Sequence, residues 1–141
     1  MIDFVNETDF EVTESLLGEL SIILNELTKK EVELIFVDDA QIKEINKTHR
    51  NKDESTDVLS FPLDFPQAAL LGSVIISLDT AKAASIELGH SLEEEIKILF
   101  IHGILHLLGF DHEMDDGIMR KKEEELIEKF DLPKNLITRN E

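Results

Sequence analysis

Residues 92–112 read LEEEIKILFIHGILHLLGFDH, and the fold turns on how this stretch is taken. Ser91 just ahead of it, with Glu94 three residues on, forms a capping box, so a helix opens at Leu92 and runs to Leu108. From Ile96 to Phe110 almost every residue is apolar. A helix that is apolar on all sides has to sit in the middle of a molecule, covered by other elements. The run is shorter than the ~20 residues a membrane span needs, and it carries two histidines, so it reads as a buried helix.

Those histidines are the chemical content of the stretch. In a helix His102 and His106 differ by about 40° in azimuth and about 6 Å in rise, so both imidazoles leave one face. This is the spacing at which a helix offers two nitrogens to one ion. His112 lies six residues beyond His106 and joins the pair only if the helix stops and the chain turns back. Gly109 suits that stop, because glycine adopts the left-handed conformation that ends many helices. A lone histidine on an apolar helix is usually a hydrogen-bonded core residue. Three, with a helix-stopping glycine between the second and the third, point to a metal site of His102, His106 and His112. Three neutral imidazoles favour one Zn²⁺ per chain, with Ni²⁺, Co²⁺ or Fe²⁺ also compatible, and leave a fourth position open for water. The spacing H-x-x-x-H-x-x-G-x-x-H is shared with the metzincin proteases, whose helix places a glutamate directly after the first histidine as general base. Here that position is Gly103, which argues against peptide hydrolysis by the usual route.

Outward from this helix, strands and helices alternate. MIDFVN reads as a first strand, and Thr8 with Glu11 suggests a capping box for an amphipathic helix over Val12 to Leu27. Glu31 to Val37 is β-branched and aromatic, a strand. Asp38 with Gln41 caps the next helix, and Asp57 to Phe61 is a strand stopped by Pro62. A loop from Pro62 to Ala69, a strand over Leu71 to Ser77 and an Ala-rich helix over Asp79 to Leu88 follow. A charged helix over Met114 to Phe130 closes the pattern. About four strands and four or five helices, with no break in composition, predict one α+β domain over residues 1–141: a small mixed sheet with helices around it.

With no cysteine in the chain, only His, Asp and Glu are left to hold a metal, which suits a reducing cytoplasm. The N-terminus lacks the basic and long apolar parts of a signal peptide, which again points to the cytoplasm. The net charge of −17 argues against nonspecific binding to nucleic acid or to anionic membranes. One segment departs from that balance. In QIKEINKTHRNK, Gln41 to Lys52, four cations face a single acid, and Lys43, Lys47 and Arg50 share one helical face. The strip is either a solvated helix face or a local anion-binding surface on an otherwise repelling protein.

HGILHLLGFDH, residues 102–112, resembles the H-G-x-L-H-L-x-G-[YF]-D-H signature of the YbeY family of bacterial rRNA maturation factors and single-strand-specific metallo-endoribonucleases. NKTHRNKDESTDVLSFP, residues 46–62, is similar to that family's second block, and LLGSVIIS to its third strand motif. The blocks stand in the family's order along essentially the whole chain. The resemblance implies zinc ligands at His102, His106 and His112, and a functionally important arginine at Arg50, whose planar fork is suited to gripping a phosphate. It further implies a cleft between the zinc helix and the sheet, single-stranded RNA as substrate, small-subunit rRNA 3′-end maturation and ribosome quality control. The small ribosomal subunit and its proteins are the implied partners, with neither membrane nor DNA among them. A non-catalytic ribosome-assembly factor with a structural zinc is the alternative, and a metalloprotease the weakest reading. Ser73 departs from the family pattern, which has Asp there, and no role is carried over to it. His49 reads as a packing or rim residue, and His90 as a surface turn residue. Asp111 either orients a ligand imidazole or caps a turn. Lys52, Asp53, Thr56 and Asp57 shape a loop facing the cleft.

Overall fold

The computed structural model describes residues 1–63, 69–110 and 117–133. In chain order these form β1 (Ile2–Asn6), α1 (Glu14–Leu27), β2 (Glu31–Val37), α2 (Asp39–Arg50), β3 (Val58–Pro62), β4 (Leu70–Ser77), α3 (Leu78–Leu88), α4 (Leu92–Leu107) and α5 (Ile118–Lys129). The strands make one sheet in the order β1-β2-β4-β3. β1 and β2 are parallel, as are β2 and β4, while β3 returns antiparallel along β4. The mixed α+β sheet expected from the alternation is therefore present.

Alternation along each strand divides the side chains between two layers. Leu34 and Phe36 of β2, Val58 of β3 and Val74 and Ile76 of β4 enter the large core shared with α1, α3, α4 and α5. Ile35 and Val37, Leu59 and Phe61, and Ile75 point to the opposite face, where α2 lays Ile42 and Ile45 over them. α4 is the centre of the large layer. Ile96, Phe100, Ile101, Ile104 and Leu105 are essentially inaccessible, which explains why its sequence shows no polar face.

Several boundaries have a clear local cause. Asp38 accepts from Gln41 N and Gln41 returns a bond from Asp38 N, and Ser91 and Glu94 repeat the arrangement at α4. The capping box expected from Thr8 and Glu11 does not form. Thr8 instead donates to Asn6 Oδ1 in a turn, and Thr13 caps α1 by accepting from Leu16 N, so the helix opens at Glu14. Pro62 does not cut β3 short but is its last residue, paired with Gly72. Proline is tolerated there because β3 is an edge strand. The last helix opens at Ile118, after Gly117, and the expected start at Met114 lies outside the described residues.

Candidate active site

Two features fix α4 against the sheet. Gly103 faces β4 so closely that a Cβ there would lie 2.8 Å from Val74 Cγ1 and 3.3 Å from Ser60 Oγ. Ser60 also donates to the Gly103 carbonyl at 3.2 Å, tying the edge strand to the helix. The residue that replaces the protease glutamate is thus the contact point between helix and sheet. Even a methyl there would have to displace the Val74 side chain, and a carboxylate on this position would face the core instead of a substrate.

With Gly103 turned to the sheet, His102 and His106 share another face of α4. His102 is 5% exposed, and His106 is half-buried. Their rings meet edge to face, and the two Nε2 atoms are 3.0 Å apart. That separation is close to the roughly 3.3 Å between two nitrogens held at ~2.0–2.1 Å by one tetrahedral zinc. The donor set therefore fits a divalent ion: two imidazole nitrogens brought within 3.0 Å of each other on a largely buried surface. Behind His102 lies a residue that the sequence motifs do not single out. Glu123 of α5, buried, places Oε2 3.5 Å from His102 Nδ1. Its signal was available, since Glu123 falls on the apolar stripe of its helix while Glu124 and Glu125 do not.

Helix α4 then ends as the glycine suggested. Leu108 is the C-cap and Gly109 takes φ 99°. Gly109 N donates to His106 O and Phe110 N to Leu105 O, the paired bonds of a Schellman turn. His112 and Asp111 lie outside the described residues, and among those described no third His, Cys, Asp or Glu completes a metal group with the pair.

Arg50 is the last residue of α2, exposed, on the sheet face opposite α4. α2 and α4 nevertheless run toward the same end of the β3–β4 pair. The His49 ring is 5.4 Å from the Phe61 ring, and Leu107 packs over Gly72, the partner of Pro62. His49, read from the sequence as a packing or rim residue, is exposed with its ring against Phe61. Arg50 and the histidine pair flank one end of the edge strand from its two sides. The loop after α2 is pinned from inside, with Asn46 Nδ2 donating to Glu54 O and Lys52 N to Asn46 O. Lys47, Arg50 and Lys52 are exposed, and Lys43 reaches Asp53 at 4.0 Å. Ser73 donates to Glu33 Oε1 at 2.6 Å across β4 and β2, a bond that leaves it facing away from α4. His90 is not a surface residue: Nε2 lies 2.7 Å from Glu95 Oε1, with both side chains buried at the mouth of α4.

Residues 3–131 match the family model described as endoribonuclease YbeY. The chain belongs to the YbeY family. Among curated YbeY endoribonucleases it is 56% identical to that of Nautilia profundicola over 141 residues, covering 100% of this chain and 99% of the relative. The Campylobacter jejuni YbeY endoribonuclease is 59% identical over 121 residues, 85% of this chain and 90% of the relative. A solution structure from Thermotoga maritima superimposes with a TM-score of 0.64 at 31% identity, over 92% of this chain and 89% of that one. As a YbeY-family protein the chain is an endoribonuclease, a hydrolase whose substrate is RNA. No helix among its described residues is long and apolar enough to cross a membrane.

Proposed function

We propose that this endoribonuclease is a zinc-dependent, single-strand-specific enzyme of the cytoplasm that matures the 3′ end of small-subunit rRNA and serves ribosome quality control. The observation that carries the reading is the convergence of two buried-helix imidazoles, Nε2 to Nε2 at 3.0 Å. His102 and His106 would hold the ion, with His112 as the third ligand that the motif supplies. When bound, zinc provides a Lewis acid that lowers the pKa of water toward ~7 and draws charge from a phosphoryl oxygen.

The chain's own residues divide the remaining work. Arg50 takes a non-bridging phosphate oxygen in its fork and bears charge as the phosphorus becomes five-coordinate. Lys47 and Lys52 follow the backbone on either side, leading a strand past the end of β3. Nothing at position 103 accepts a proton, so the attacking oxygen, from water or from the ribose 2′-hydroxyl, passes its proton to another group.

The test is metal content of the purified protein beside cleavage of a defined single-stranded RNA, with and without chelator. One zinc per chain and chelator-sensitive cleavage are expected, and His112→Ala should lose both together. Undiminished cleavage by a metal-free preparation would sink the proposal. The net charge of −17 favours a second contribution, docking to a basic protein of the small ribosomal subunit. Arg50→Ala separates the two, since it cripples cleavage and leaves docking through acidic surface intact.

A further inference from the structure

Glu123 stands where an amphipathic helix normally carries an apolar side chain. α5 buries Met119, Leu126 and Ile127, and Glu123, four residues after Met119, lies on the same stripe. Taking a carboxylate out of water is costly unless polar partners receive it. His102 is one such partner, its Nδ1 lying 3.5 Å from Glu123 Oε2. The other nitrogen of that ring, Nε2, faces His106 Nε2 at 3.0 Å. The His102 imidazole is therefore bracketed, a carboxylate on one side and the shared nitrogen point on the other.

The chemistry of the bracket is directional. A neutral imidazole has one N–H and one lone pair, and a carboxylate can only accept. Glu123 thus favours the N–H at Nδ1 and leaves the lone pair at Nε2, where a cation needs it. It also adds negative charge behind the ligand, which strengthens the imidazole as a donor. We propose that Glu123 is a positioning residue of the metal centre, holding His102 in its ligating tautomer and orientation. The inference rests on the zinc reading above, and Glu123 acts through His102 and not on the RNA.

A purely structural glutamate makes the opposite forecast, which allows a clean test. Wild type, Glu123→Gln and Glu123→Asp are compared for zinc affinity by competition with a chromophoric chelator, and for the thermal midpoint of the metal-free protein. Glu123→Gln should bind zinc about 10–100-fold more weakly. Its metal-free midpoint should stay level or rise, because an amide is easier to bury than a carboxylate. Glu123→Asp keeps the charge at a shorter reach and should fall between. Two-bond ¹⁵N–¹H correlation spectra of the metal-free wild type should show His102 protonated at Nδ1. Wild-type zinc affinity in Glu123→Gln overturns the proposal, as does a loss of midpoint in step with the loss of affinity. If the wild type itself takes up no zinc, the zinc reading fails first and the role of Glu123 falls with it.

Discussion

Gly103 is where stability and chemistry meet in one residue. It lets a helix approach the sheet until a single methyl would strike Val74 at 2.8 Å, and the struck atom belongs to a stiff, β-branched side chain. Replacing Gly103 by Ala gains about 1 kcal/mol of helix propensity but loses about 1–3 kcal/mol to overpacking. A net destabilisation of up to about 2 kcal/mol is expected, read as a lower urea midpoint. Adding Val74→Ala should cost less in the Gly103→Ala background than in the wild type, since the second substitution relieves the first; strictly additive costs would show that the two residues do not touch. The same packing explains why restoring the protease pattern with Gly103→Glu should yield an unfolded protein and no protease. His90 makes a contrasting case. Its buried contact with Glu95 was invisible in the sequence, because the two are five residues apart across a helix cap and neither belongs to a recognisable pattern.

Among the elements, the Schellman turn at Gly109 has the most direct bearing on the site. Any other residue at φ 99° carries strain of about 1–2 kcal/mol, so Gly109→Ala should lower the thermal midpoint. Because the turn sets the direction of the chain just before His112, zinc affinity should drop as well. A variant with a lowered midpoint and unaltered zinc affinity would mean that the third ligand does not depend on the turn. This turn, the capping boxes at Asp38 and Ser91 and the central place of α4 were all legible, since each is written in residues close in sequence. Ser91→Ala should cost about 1 kcal/mol at the head of α4, measured by chemical denaturation. Thr8 misled because Asn6 offers it a nearer partner than a helix N-terminus does. Glu123 was missed for a different reason. Its helix reads as charged, and only the positions of Met119, Leu126 and Ile127 reveal that this one glutamate turns inward. The pairing of β3 at the sheet edge, which places Arg50 and the histidines at one end, is a long-range fact that no local pattern contains.

At the scale of the whole molecule the problem is how a protein of net charge −17 handles a polyanion. The reach of its field decides the matter. At about 0.15 M salt the Debye length is about 8 Å, so a strand at the end of β3 feels Lys47, Arg50 and Lys52 together with their neighbours Glu44, Asp53 and Glu54, and little of the charge farther away. At about 0.01 M it is about 30 Å, comparable to the molecule, and the total negative charge then opposes binding. A protein with only a basic face shows affinity that rises steadily as salt falls, in proportion to the phosphates it neutralises. This one should follow that line only at moderate salt and flatten, or turn over, in dilute buffer. Removing two cations with Lys47→Ala and Lys52→Ala should weaken single-stranded RNA binding at about 0.1 M salt. The slope of log K against log salt should shrink by about 1.4, at ~0.7 for each phosphate no longer neutralised on a single strand. Fluorescence anisotropy with a labelled oligoribonucleotide gives both quantities. An unchanged slope in the double variant would place the RNA on a different surface, and a straight line down to about 0.01 M would show that the acidic bulk lies too far from the strand to be felt.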